Sequence, residues 1–125
     1  MIDLHMHSTA SDGTLTPTEL VEEAKKSGLK VMALTDHDTL DGIDEARKRA
    51  SELEIEFING IEFSTEYNEG EVHILGYFLD EKNIRLLELL DKLKKERVER
   101  TEKILKKLKK YKCYISMEDL QKEVK

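Results

Sequence analysis

At 125 residues and 14.5 kDa, the chain can bury one core but falls short of the roughly 250 residues of a typical complete α/β barrel. Its 21 Lys and Arg against 27 Asp and Glu give a net charge of −6, which argues against a broad basic surface, although a metal cluster attracts phosphate locally whatever the net charge. A lone Cys113 excludes a disulfide framework and a Cys-rich zinc site; with no signal-like leader and no run of about 20 apolar residues, a cytoplasmic protein without membrane spans is expected.

The alternation over residues 1–7 predicts a first strand that ends in histidines. Asp12-Gly13 is a turn signal, and Thr16-Pro17-Thr18-Glu19 combines an N-cap, a first-turn proline and a capping-box Glu. A helix is expected over 17–27, with Leu20, Val21 and Ala24 inward and Gly28 as its stop. Val31-Met32-Ala33-Leu34-Thr35 reads as a strand covered on both faces that delivers Asp36 and His37 to its C-terminal end. A second helix over 42–53 repeats apolar residues at Ile43, Ala46, Ala50 and Leu53, and residues 55–64 return as a strand ending near Glu62. The order β-α-β-α-β implies a parallel sheet with crossover helices.

Asn68-Glu69-Gly70 follows too soon for another crossover, so residues 72–78 form a hairpin with the preceding strand. A turn centred between Tyr67 and Asn68 would set Glu62 opposite His73. Residues 84–110 keep helical spacing as one long helix or two in series, and Ser116 caps a short terminal helix. The boundary between segments is expected near 80–83, giving 1–80 as the motif-bearing part and 81–125 as a helical segment.

All four histidines, His5, His7, His37 and His73, fall at or near strand ends. A single His in such a place is commonly structural; four of them with Asp12 and Glu62 point to metal. His5 and His7, two apart on a strand, share a side and can hold one ion. Asp3 on that side either orients a ligand or starts the strand. Asp12 reads equally as a turn residue. Of Asp36, His37 and Asp38, adjacent residues on extended chain, one side chain enters a site, and His37 is the better ligand; the aspartates serve as partners behind it, or Asp38 caps the next helix. Glu62 opposes the packing residues Ile61 and Phe63, and a Glu turned into an enclosed sheet needs a partner such as a metal. Arg97 and Arg100, three apart on a helix, are candidate phosphate contacts or part of a solvated face. The run Lys106, Lys107, Lys109 and Lys110 reads as solvent-facing.

His5-Met6-His7-Ser8-Thr9, Ser11-Asp12-Gly13-Thr14, Thr35-Asp36-His37-Asp38-Thr39, Gly60-Ile61-Glu62-Phe63-Ser64 and His73-Ile74-Leu75-Gly76 together resemble the opening motifs of the polymerase and histidinol phosphatase (PHP) family. They are most similar to its stand-alone phosphoesterases of nucleoside bisphosphates or short RNA ends. The match spans residues 1–78; from Arg97 onward the chain more loosely resembles that branch's inserted helical subdomain. The resemblance implies the N-terminal portion of a distorted (β/α)7 barrel with up to three divalent ions, Mn, Zn or Fe, at its strand ends. By position His5 and His7 would bind the first ion, Glu62 would bridge it to a second held by His73, and Asp12 with His37 would bind a third. Metal-activated water would be the nucleophile, with a phosphate-ester small molecule or short nucleic acid as substrate.

The family normally adds a later His and a closing Asp-x-His, which this sequence does not contain. It is therefore read as part of a longer protein, ahead of completion by a partner or a second copy. An open sheet edge and an apolar inner face are expected. Two alternatives stand beside this reading. An amidohydrolase-type hydrolase shares His-x-His but leaves Thr-Asp-His-Asp unexplained. A non-catalytic PHP-like metal-binding or interaction module would use the long helix to bind a partner.

Overall fold

The computed structural model describes residues 1–68 and 70–123, without the side chains of Tyr67 and Gln121. The elements in chain order are β1 (Ile2–Met6), α1 (Pro17–Lys26), β2 (Val31–Leu34), α2 (Ile43–Glu52), β3 (Glu56–Tyr67), β4 (Gly70–Tyr77), α3 (Ile84–Lys110) and α4 (Met117–Glu123). They divide into two compact units, Met1–Asn83 and Ile84–Lys125.

In the first unit the strands form one curled sheet in the order β1-β2-β3-β4. The β1/β2 and β2/β3 pairs are parallel and β3/β4 is antiparallel, so two β-α-β crossovers are followed by a hairpin. Helix α1 starts where the sequence places its capping box: Glu19 N donates to Thr16 Oγ1 at 3.2 Å, and Thr16 N donates to Glu19 Oε2 at 2.9 Å. Leu20, Val21 and Ala24 of α1 and Ile43, Ala46 and Ala50 of α2 meet Met32 and Leu34 of β2 in one buried cluster. Burial of such side chains contributes about 1.5–3 kcal/mol each for the larger ones, so β2 and the two helices are the stable platform on which the strand ends are fixed. Arg49 ties the helices at their surface through Glu22 of α1 and Glu52 of α2.

Three sequence expectations change. Ser64, not Glu62, pairs with His73, and Glu62 pairs with Leu75. Strand β3 runs on to Tyr67, which pairs with Gly70, while Asn68 takes a left-handed φ of 55°; Glu69, part of the expected turn, lies outside the described residues. A slip of two residues keeps every side chain on its face, so His73 remains on the Glu62 side. The third change concerns Asp38. Helix α2 is preceded by Gly42 with no side-chain cap, and Asp38 bonds elsewhere.

At the sheet margins Ile2, Leu4, Val72 and Ile74 are exposed. Strand β1 carries an irregularity between Asp3 and Met6, and the Tyr77 hydroxyl of β4 donates to the Leu4 carbonyl at 2.7 Å. The second unit consists of α3, a single helix of 27 residues, and α4, with Ser116 Oγ accepting from Asp119 N at 3.1 Å at the start of α4.

Candidate metal centre

Beyond β1 the chain folds into a tight loop. Ser11 N and Gly13 N both donate to Ser8 O, at 3.1 and 2.9 Å, and Thr9 N donates to Leu15 O at 2.8 Å. Residue 13 must be glycine here, because a Cβ would stand 2.3 Å from His7 O. This close approach sets Asp12 beside the first histidines: Asp12 Oδ1 is 3.2 Å from His7 Nδ1 and Oδ2 is 3.5 Å from His37 Nε2. The first of these is an ion-pair distance without hydrogen-bond geometry, since His7 Nδ1 has no hydrogen-bond partner among the described residues.

The end of β2 supplies His37 between two aspartates with distinct tasks. Asp36 is buried, and its carboxylate accepts from Ser8 N (2.7 Å), Ser8 Oγ (2.7 Å) and Ser11 Oγ (2.6 Å), pinning the β1 loop to the β2 end. Asp38 has a left-handed φ of 52°, and its Oδ1 accepts from Ser64 N at 2.9 Å. Between them His37 is locked in register with β3. Glu62 N donates to Asp36 O at 3.2 Å, and Asp38 N donates to Glu62 O at 3.1 Å. Asp3 Oδ1 accepts from the backbone N of His5 at 3.1 Å.

Glu62 is the centre of the arrangement. One carboxylate oxygen, Oε2, lies 2.8 Å from His5 Nε2, 3.0 Å from His7 Nε2 and 3.7 Å from His37 Nε2; the other, Oε1, lies 2.7 Å from His73 Nδ1. The four imidazoles form a chain around it, with neighbouring ring centres 5.1, 4.7 and 5.0 Å apart. Burial pushes the Glu62 carboxyl up, but hydrogen bonds from His5 and His73 and the charges of His37 and His5 outweigh it and hold the group below the ordinary carboxylate range. It is an anion at neutral pH.

Three sets of side chains bring one potential ligand atom each to within 4.8 Å of one another: His5, His7 and Glu62; His7, Asp12 and His37; and His37, Glu62 and His73. His7, His37 and Glu62 are each shared by two sets, so the groups form one contiguous cluster. The donor set fits divalent cations. His7 Nδ1, 3.2 Å from Asp12 Oδ1, is buried without a hydrogen-bond partner among the described residues, a condition that buried polar atoms rarely keep unless water or an ion satisfies the site. Imidazole nitrogens mixed with carboxylates are the ligands of first-row transition ions and zinc.

Arg97 and Arg100 lie exposed on α3, in the second unit. The supporting residues that the sequence left unassigned are Ser8, Ser11 and Ser64. Ser8 is fully buried, and its one local signal is a hydroxyl residue directly following His-x-His.

A 5'-3' exoribonuclease of Haemophilus influenzae is 51% identical over 84 residues, covering 67% of this chain and 31% of the relative. A 3',5'-nucleoside bisphosphate phosphatase of Chromobacterium violaceum is 46% identical over 79 residues, covering 63% and 28%. Among solved structures, a candidate metal-dependent phosphoesterase of Bifidobacterium adolescentis superposes with a TM-score of 0.90 at 33% identity, over 99% of this chain and 43% of the other. An amidohydrolase of Chromobacterium violaceum, solved with sulfate and no metal, gives 0.84 at 37% identity, over 91% and 40%. The chain thus spans less than half the length of each of these proteins. The PHP domain family matches residues 3–117, and the chain belongs to that family.

Proposed function

We propose that this chain carries the metal-ligand cluster of a phosphoesterase that hydrolyses phosphate esters of nucleotides or short oligonucleotides. The observation that carries the reading is the convergence of His5, His7, His37 and His73 on the one buried carboxylate of Glu62, with Asp12 alongside. The substrate class is inferred from relatives named as a bisphosphate phosphatase and an exoribonuclease. In this reading His5, His7 and Glu62 hold one ion, Glu62 and His73 contribute to a second, and Asp12 with His37 to a third, the ions being Mn²⁺, Zn²⁺ or Fe²⁺.

The chain's own groups divide the work. Glu62, held anionic, offers an oxygen to either side and supplies the negative charge that two neighbouring cations require. The histidines would ligate through neutral ring nitrogens. Asp36 keeps the loop carrying Asp12 against the β2 end that carries His37, and Asp38 ties the β2 end to β3. Once bound, such ions lower the pKa of water and neutralise phosphate oxygens.

Elemental analysis of protein purified without chelator tests the reading. Two or three equivalents of Mn, Zn or Fe are expected, and His7→Ala and His37→Ala should each lose metal while retaining the far-ultraviolet dichroism of the parent. The metal-loaded chain by itself should turn over a nucleoside 3',5'-bisphosphate or short RNA only weakly, because the family's later His and closing Asp-x-His are not in this sequence, and chelation should abolish what turnover there is. A folded chain that takes up no divalent ion, or variants that retain full metal, would sink the assignment.

A further inference from the structure

The net charge of −6 conceals a division. Residues 1–83 carry 19 acidic side chains against 7 basic, whereas residues 84–125 carry 14 basic against 8 acidic, so the two units have opposite sign. Within α3 the basic residues are not uniformly neutralised. Its first half interleaves charges, with Lys95 bonded to Asp91 at 2.6 Å and Lys92 lying 3.7 Å from Glu96. From Lys103 to Met117 no acidic residue occurs. Lys103, Lys106, Lys107 and Lys110 stand at i, i+3, i+4 and i+7 and so share one face of the helix. All four are exposed, as are Lys109 and Lys112, and none of the six has an ion-pair partner among the described residues.

Helix-end electrostatics account for part of this. Lys107, Lys109 and Lys110 lie in the last turn, where cations complement the terminal carbonyls. Lys103 and Lys106 lie a turn earlier, beyond the reach of that effect, and the like-charged pairs Lys103–Lys107 and Lys106–Lys110 each oppose the helix by a few tenths of a kcal/mol. Just past the helix end, Tyr111 and Tyr114 are 80% and 76% exposed. A lysine stripe with free aromatic rings at its end is the equipment of a single-strand nucleic-acid surface, where cations follow the phosphates and rings stack on bases. The stripe from Lys103 to Lys110 extends about 10 Å at 1.5 Å per residue, which suits several linked phosphates better than one. A bilayer fits less well, because Leu105 is buried and leaves Ile104 as the exposed aliphatic residue of these turns, too little for the broad apolar face that a membrane-surface helix inserts.

We propose that the Lys103–Lys106–Lys107–Lys110 face of α3, with Tyr111 and Tyr114, binds the backbone and bases of single-stranded RNA. The choice of RNA rests on the phosphoesterase reading above; the charge stripe does not. The test is fluorescence anisotropy of a labelled oligouridylate with the full chain in EDTA, so that the metal cluster takes no part. Binding should weaken with salt along a log-log slope of about −2, the value for about three phosphates on a single strand. Lys103→Glu with Lys107→Glu should reduce affinity about tenfold or more, and the milder Lys103→Gln with Lys107→Gln should reduce it less. Tyr111→Ala with Tyr114→Ala should weaken RNA binding several-fold but leave inorganic polyphosphate binding unchanged. Dichroism and metal content of every variant should match the parent. Failure of the parent to bind RNA, indifference to charge reversal, or tighter binding of anionic phospholipid vesicles than of RNA would overturn the proposal. RNA binding by a folded chain that takes up no divalent ion would count against the phosphoesterase reading alone. Metal uptake by the cluster with no RNA binding would count against this surface alone.

Discussion

Asp36 is buried and accepts three hydrogen bonds, one of them from the backbone of Ser8. Removing its carboxylate leaves the buried Ser8 N–H and the Ser8 hydroxyl proton without acceptors, so Asp36→Ala should destabilise the protein by about 3 kcal/mol, and Asp36→Asn, which keeps one oxygen and the shape, by about half that. Urea unfolding would measure both, and equal losses would mean that volume matters here more than hydrogen bonding. Glu62 makes a pH prediction. Its carboxyl is held below its ordinary value of 4.5, so its contribution to stability is complete above that value and is lost as pH falls through the lower, folded-state value. In EDTA the melting temperature of the parent should therefore drop on the acid side more steeply than that of Glu62→Gln. Parallel acid limbs in the two proteins would remove Glu62 from the account.

At the scale of elements, Tyr77 joins the two margins of the sheet by donating to Leu4 O, next to His5. Tyr77→Phe should cost about 0.5–1.5 kcal/mol and loosen β1, read by faster amide exchange at His5 and Met6. Unchanged exchange there would show that the β1/β2 ladder alone holds the strand. The capping box at Thr16 and Glu19 and the 3.6-residue period of α1, α2 and α3 were legible in the sequence because helical bonds are local. The parallel order of β1, β2 and β3 was legible because two amphipathic helices separate them. The hairpin register was not. It depends on Asn68 entering the left-handed region and on β3 extending past Ser64, and tertiary packing decides both. The motifs carried the histidines, Asp12 and Glu62, but not the long-range bonds of Asp36 to Ser8 and Ser11 or of Asp38 to Ser64. Those pair residues 25 to 28 positions apart, and nothing in their local pattern marks the partner.

Across the whole molecule, 19 acidic against 7 basic residues in positions 1–83 give the motif-bearing unit strong self-repulsion, which bound divalent cations would relieve. The six candidate ligands come from β1 and its loop, the β2 end, β3 and β4, so ions bound across the native cluster would together cross-link all four strands and would find no comparable site in the unfolded chain. Binding of that kind stabilises by mass action, about 2.7 kcal/mol at a hundredfold excess over the dissociation constant. For a unit of this size the corresponding rise in melting temperature is of the order of 10 °C. Mn²⁺ or Zn²⁺ should therefore raise the melting temperature of chelator-stripped protein, and EDTA should restore the original value. The shift should shrink in His37→Ala and largely disappear in Glu62→Ala, because the Glu62 carboxylate lies within 3.7 Å of a nitrogen of each of the four histidines. An equal shift in the parent and both variants would mean that the cations stabilise through diffuse surface charge and not through this cluster.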